Sequence, residues 1–294
     1  MVIGFLGLGE VGSRYSSGIR RNGATVLGFD LKFGEEEFKE KEDRCREYGV
    51  ELVPDCKTLV ERSDIILCPT TVAQTVETAE SAAPYLCPGK IYVDFNSAIP
   101  DTKLEAEKIV RATGAEFCDA CTLNSPVNTW EKNAIIMAGP KAPEVIEVLN
   151  GYGMKIEYVG EEIGKAAKLK TIRSIFSKGL EALIIEALVT ATHFGVYDEV
   201  YSSMVKMVDK ESFADLSSRI VRGDVLHSKR RADEVGSVVT MLQNAGMDCT
   251  MSKAVTAKIR WSNSTPIRAD FGARMPDPEQ FRDVINKFTE YSKV

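Results

Sequence analysis

Apolar residues follow two different rhythms along this chain. Up to about residue 160, short apolar runs alternate with amphipathic stretches: "VIGFLGL", "TVLGFD", "DIILCPT", "KIYVDFN", "EFCDA", "NAIIMAG" and "KIEYVG". Such short runs have the length of buried strands, and the amphipathic stretches between them read as crossover helices. The alternation predicts β-α units and a mostly parallel sheet. After Gly160 the strand-like runs stop, and helical periodicity continues almost to the C-terminus. Breaks are expected at "HFGVYD", "VRGDVLHS", "NAGMD" and "STPIRADFGARMPDP", where turn-forming residues cluster. The expected architecture is α/β: a Rossmann-type, doubly wound domain over residues 1–160. An all-α domain over residues 161–294 follows it without a flexible linker.

Composition narrows the function classes. A chain of 294 residues, 44% hydrophobic and 27% charged, suits two domains, each with its own core. Its net charge of −6 argues against nucleic-acid binding, which calls for a basic excess. The opening "MVIGFLGLG" has no charged n-region and no cleavage site, so no secretory signal is expected. The apolar stretch "ALIIEALVTATHFGV" contains Glu186, and no membrane span is expected. Of seven cysteines only Cys118 and Cys121 have C-x-x-C spacing, and the two histidines, His193 and His227, are remote from them. No metal site is expected, and the thiols read as reduced packing residues in a cytoplasmic protein.

The strongest chemical signal is "VIGFLGLGEVGSRYSSGIRRNGATVLGFD". Gly7, Gly9 and Gly12 form G-x-G-x-x-G directly after a strand and at the start of a helix. The first glycine permits a tight turn, the second lets backbone approach a pyrophosphate, and the third lets helix pack on strand. The helix N-terminus then offers N–H groups to the anion, with Leu8, Glu10 and Val11 completing the loop. Asp30 ends the next strand, 18 residues beyond Gly12, where a carboxylate accepts the hydroxyls of an adenosine ribose. It also repels a 2′-phosphate, so NAD is expected, with NADP left possible by the nearby Lys32. Pro69, Thr70 and Thr71, after another strand-like run, complete the expected dinucleotide contacts on that side.

A dinucleotide site does not define a reaction. Neither histidine falls near a strand end, which leaves lysine as the candidate and points to the segment "GKAAKLKTIRSIFSKG", residues 164–179. On a helical wheel Leu169, Ile172, Phe176, Leu180, Leu183 and Ala187 form one stripe, expected to be buried. Lys170, Ser174, Ser177 and Glu181 share a narrow neighbouring face, and Arg173 borders both. Lys168 points nearly opposite to Lys170. A lysine at the edge of an apolar stripe, with small polar neighbours, is a candidate for chemistry. The alternative is an ordinary solvated face.

Here the residues resemble the β-hydroxyacid dehydrogenases and their relative phosphogluconate dehydrogenase, piecewise but over the whole length. "GFLGLGEVG" resembles the family's glycine motif and "FDLK" its NAD-preferring strand end. "VDFNSAIPDTK" resembles the segment beside the nicotinamide ring, which implies roles for Asn96 and Ser97. "DACTLNSPVN" resembles the substrate-holding segment, implying Ser125, Pro126 and Val127. "GKAAKLK" resembles the motif ending in the catalytic lysine, which implies Lys170 as the general acid/base. "HSKRRADEVGSVVTMLQNAGMD" and "IRW" resemble the helical C-terminal domain of one branch of the family.

Two departures fall in the implied substrate pocket. Arg173 and Ser174 stand where the family has Asn-Asn or His-Asn, and "NTW", ending in Trp130, replaces paired glycines after Pro-Val. The resemblance therefore implies fold and reaction type, not a substrate. A lysine ordinarily titrates at about 10.4, so it needs desolvation or nearby cations to work near neutrality, and Arg173 is the expected cation. Arg173 and Ser174, with Arg230 and Arg231 as more distant candidate cations, would draw a small anionic hydroxy or oxo acid. The long helix from near Gly164 and the apolar C-terminal helices exceed what one small domain needs, and the resemblance implies at least a dimer. A homodimer built by the helical domains is expected, and whether the partner chain completes the active site stays open. Two rival readings remain: an imine reductase, whose family relatives usually replace the lysine, and a non-catalytic dinucleotide sensor, for which no basic recognition helix is present.

Overall fold

The computed structural model describes residues 1–123 and 133–293. All seven apolar runs form strands, and a two-residue strand joins them. In chain order the first half holds β1 (Val2–Leu6), α1 (Glu10–Arg21), β2 (Thr25–Phe29), α2 (Lys39–Glu47), β3 (Glu51–Leu52) and α3 (Cys56–Arg62). Then come β4 (Ile65–Cys68), α4 (Thr75–Ala82), β5 (Ile91–Asp94), α5 (Pro100–Arg111) and β6 (Glu116–Thr122). The last strands are β7 (Ile135–Ala138) and β8 (Ile156–Gly160), joined through α6 (Ala142–Gly151).

These form one eight-stranded sheet in the order β3-β2-β1-β4-β5-β6-β7-β8. Every neighbouring pair is parallel except β6 and β7, which run antiparallel. Strand alternation fills a core on each face. Ile3, Phe5, Ile65, Leu67, Ile91 and Val93 pack on one side with Tyr15 and Ile19 of α1. Leu6, Ile66, Tyr92 and Phe117 pack on the other with Leu59, Ala106 and Val110. Helices on both faces explain why the strands are continuously apolar rather than alternating. Cys118 lies in the first core, whereas Cys121 packs with Ile136, Ala138, Ala166 and Ala167. The C-x-x-C residues thus serve different clusters, and no described cysteine is in a disulfide.

Helices follow: α7 (Lys165–His193), α8 (Tyr197–Asp209), α9 (Phe213–Asn244), α10 (Thr250–Ser264), α11 (Ile267–Asp270) and α12 (Phe281–Tyr291). The chain divides into two compact units, Met1–Ile175 and Phe176–Val294, and the division falls within α7. In the second unit Val225, Ile267 and Val284 are fully buried, with Phe271, Phe288 and Tyr291 packed around them. Glu186 of α7 accepts the N–H groups of Met251 and Ser252 at 2.7 and 2.8 Å, capping α10, whose own first residues supply no side-chain cap. Negative charge at a helix N-terminus satisfies unpaired donors and opposes the dipole.

Two expectations are corrected. No break occurs at "VRGDVLHS"; α9 runs through it, and His227 is helical. Gly223 is buried, and a Cβ there would lie 2.8 Å from Arg231 Nη2, so the glycine makes room for a side chain one helical stretch away. The stripe on α7 is not buried by this chain: Ile172 is 65% and Phe176 52% exposed, and Leu169, Leu180 and Leu183 are exposed as well. Apolar residues lie all round this helix, Ile175 and Ile185 included, which is the pattern of a helix covered from several sides. Among the described residues no helix is long and apolar enough to cross a membrane, and no group of three or more His, Cys, Asp or Glu side chains is placed to hold a metal.

Candidate active site

The strand order reverses between β1 and β4, and in open α/β sheets ligands bind beyond the carboxyl ends of the strands at such a point. The glycine loop lies there. Gly7 has φ +108°, a conformation that L side chains rarely adopt. A Cβ on Gly12 would stand 2.0 Å from the Gly7 carbonyl oxygen, so only glycine lets α1 sit this close to β1. A Cβ on Gly9 would meet nothing within 4 Å, and no side chain caps α1. Space thus coincides at Gly9, Glu10 and Val11 with N–H groups that no side chain among the described residues caps. Glu10 turns aside to pair with Arg14 at 2.6 Å.

Asp30, just past β2, is held by backbone: the N–H groups of Leu8 and Lys32 donate to its two oxygens at 2.7 and 3.0 Å. Each carboxylate oxygen retains acceptor capacity for a hydroxyl. Across the loop, the Gly7 position abuts Thr70 and Pro69. Thr71 turns to Gln74, to which its hydroxyl donates at 2.9 Å. Loop geometry, uncapped helix and fixed acid all fit a dinucleotide.

Beyond β5 the Asn96 side-chain amide donates to the Thr70 hydroxyl at 3.0 Å. Asn96 is buried, and its Oδ1 has no hydrogen-bond partner among the described residues. A buried acceptor left unpaired costs free energy unless a ligand supplies a donor. Next to it, the Lys170 ammonium donates to the Ser97 hydroxyl. Burial pushes the Lys170 ammonium below the ordinary lysine value; Cys121 works against this and the Lys103 ammonium adds to it. The expected cation, Arg173, is otherwise engaged: its guanidinium donates to the Leu123 carbonyl at 2.9 Å. Lys103, which carried no signal in the sequence, is a cation whose charge adds to the lowering of Lys170. The Ser174 hydroxyl donates to the Lys170 carbonyl at 2.9 Å, one turn back on the same helix. Ser125, Pro126, Val127 and Trp130 lie outside the described residues.

Sequence reasoning also passed over Asp94 and Asp119, both buried and both paired with Lys103. A carboxylate inside the apolar runs "KIYVDFN" and "EFCDA" is itself a sign of a buried partner, because an isolated buried charge is very costly. Nothing in the pattern of the following helix marks Lys103 as that partner.

Residues 2–160 match the NAD binding domain of 6-phosphogluconate dehydrogenase, and residues 191–262 match a domain of unknown function. An uncharacterized 28.5 kDa protein of Methanothermus fervidus is 28% identical over 86% of this chain and 95% of its own length. Glyoxylate/succinic semialdehyde reductase 1 of Arabidopsis thaliana is 27% identical over 67% of this chain and 68% of its own. The structure of an imine reductase from Myxococcus stipitatus in complex with NADP+ superposes with a TM-score of 0.74 at 18% identity, covering 97% of this chain and 100% of that one. That likeness is one of fold.

Proposed function

The chain belongs to the 6-phosphogluconate dehydrogenase-like family of NAD(P)-dependent oxidoreductases, and from that membership we propose that it moves a hydride between nicotinamide and a small hydroxy acid or its oxo form. One observation carries the reading: half-buried Lys170 meets Ser97 beside the unpartnered Asn96 Oδ1, at the carboxyl end of the sheet. Bound nicotinamide supplies the hydride in reduction and accepts it in oxidation. In reduction the Lys170 ammonium gives its proton to the carbonyl oxygen; in oxidation the neutral amine takes the hydroxyl proton back. A depressed proton affinity brings both forms of Lys170 closer to working pH. Ser97 holds the ammonium in place, and Asn96 Oδ1 is an acceptor for an amide N–H. The Arg173 guanidinium gives one N–H to the Leu123 carbonyl, and its other donors make it the candidate partner for a substrate carboxylate.

The substrate class follows the Arabidopsis relative, whose name carries glyoxylate and succinic semialdehyde, both small oxo acids. Asp30 supports NAD over NADP because its carboxylate repels a 2′-phosphate. The test is the consumption of reduced nicotinamide by the full chain with glyoxylate, succinic semialdehyde and a cyclic imine, in parallel with calorimetric titration of NAD and NADP. Turnover of an oxo acid and tighter NAD binding are expected. Turnover of the imine alone would transfer the reading to C=N reduction, and tighter NADP binding would overturn the role given to Asp30.

A further inference from the structure

A closed ion cluster stands behind the candidate site. Lys103 of α5, Asp94 at the end of β5 and Asp119 in β6 are all buried. The Lys103 ammonium lies 3.0 Å from Asp94 Oδ2 and 3.1 Å from Asp119 Oδ1. It also donates to the carbonyl oxygens of Asp94 at 3.0 Å and Ala120 at 3.2 Å. One ammonium therefore fastens two neighbouring strands. The remaining carboxylate oxygens reach outward. Asp94 Oδ1 accepts the N–H of Asn96 at 3.0 Å, the residue before Ser97. Asp119 Oδ2 accepts the N–H of Ala167 at 3.1 Å, in the first turn of α7 and one turn before Lys170.

A buried ion cluster is a poor device for stability, because well-packed apolar residues of the same volume usually serve as well or better. This one connects the two backbone segments whose side chains meet at the site. Two carboxylates face one ammonium, and the N–H groups at the start of α7 help to balance the excess negative charge.

We propose that Lys103 is a positioning residue for the reaction: its ammonium ties the Asn96–Ser97 turn and the first turn of α7 to one frame, so that Lys170 and Ser97 meet in a single geometry. The proposal rests on the reading of Lys170 as the proton-transferring group. The Lys170 ammonium meets Ser97 from the turn after β5, and the charges of Cys121 in β6 and Lys103 in α5 act on it, while Arg173 on its own helix is turned to the Leu123 carbonyl. Asp94 and Asp119 pair with Lys103 and accept the N–H groups of Asn96 and Ala167.

The test compares the full chain with its Lys103→Met and Lys170→Met variants. Thermal melting establishes folding and fluorescence titration gives NADH affinity. Turnover is followed as a function of pH, and amine-selective labelling of Lys170 against pH is read by mass spectrometry without need of turnover. For Lys103→Met, NADH affinity and KM are expected within about threefold of the parent, and kcat down by roughly 10²-fold, the scale of a small misplacement of a reacting group. Removal of a neighbouring cation lets Lys170 keep its proton to higher pH, so the labelling midpoint and the alkaline fall of reductive turnover both move upward. A folded Lys103→Met with parental kcat and parental labelling profile would overturn the proposal and leave Lys103 a structural residue. If Lys170→Met keeps its turnover, the acid/base reading fails by itself, and an unshifted or shifted labelling profile still decides whether Lys103 orders Lys170. Should Lys103→Met fail to fold, the triple variant with Asp94→Asn and Asp119→Asn removes the stranded charges while keeping acceptors for Asn96 and Ala167. The same losses are expected of it, since the ammonium's bonds to the Asp94 and Ala120 carbonyls are gone there too.

Discussion

The lysines between residues 164 and 179 have separate uses. Lys168 pairs with Glu162 and Lys178 with Glu181, while the Lys165 chain lies along Gly160. Lys170 turns instead to Ser97. Replacing it by methionine is expected to lower turnover by about 10²- to 10⁴-fold, the usual contribution of a general acid/base group. NADH affinity should stay near the parent value, because the glycine loop and Asp30, not Lys170, are the groups assigned to the pyrophosphate and ribose. Alanine at Lys165, Lys168 or Lys178 should leave turnover almost intact. Steady-state kinetics with separate cofactor titrations of the four variants decide this, and a dead Lys168 variant beside an active Lys170 variant would reverse the assignment. The wheel separated Lys170 from Lys168 because helical phase is written in the sequence. The influence of Lys103 was not legible: Arg173 is three residues away in sequence, whereas the charge of Lys103 acts on Lys170 only through the folding of α5 onto β5 and β6.

Glycines at the start of α1 divide into those the fold requires and those only a ligand requires. A Cβ at Gly12 would be 2.0 Å from a backbone carbonyl, which cannot move aside as a side chain can. Gly12→Ala should therefore both lower the melting temperature and abolish NADH binding. A Cβ at Gly9 meets open space. Gly9→Ala should melt like the parent, since the mutation touches nothing in the chain, yet bind NADH at least about tenfold more weakly because the methyl occupies the approach to the pyrophosphate. Melting curves and fluorescence titration on the two variants separate the cases; a Gly9→Ala protein with parental affinity would remove the loop from the cofactor site. At Gly7 and Gly12 the motif was legible, because positive φ and close approach are demands that only glycine meets. Elsewhere a glycine misled. Gly223 lies inside α9, seated against Arg231, and a local pattern shows only that a glycine is present, not what packs over it. Strand β3, two residues at the sheet edge, was too short to produce any apolar run.

Across the whole chain, the change from strand rhythm to helical rhythm at Gly160 was plain, because a sheet buried on both faces and a set of helices need different apolar periods. What the periodicity could not say is which apolar faces this chain covers by itself. On α7, Ile185 and Val189 are 57% and 55% exposed, and Ile172, Ile175, Phe176 and Leu180 are exposed on the preceding turns. On α8, Tyr201, Val205, Met207 and Val208 are exposed as well. Single chains rarely leave apolar patches beyond a few hundred Å² open to water, whereas permanent homodimers bury roughly 2,000 Å² or more of such surface. We propose a second copy of the chain as the occupant: apolar side chains exposed along two helices are costly to leave in water, and a two-fold interface needs only one patch that fits itself. Light scattering at micromolar concentration should give twice the chain mass. Ile185→Glu combined with Val189→Glu places two charges on the exposed face and should halve that mass, with the sheet unit still binding NADH. A parent protein that is already monomeric under these conditions would mean that the open faces of α7 and α8 serve something other than self-association.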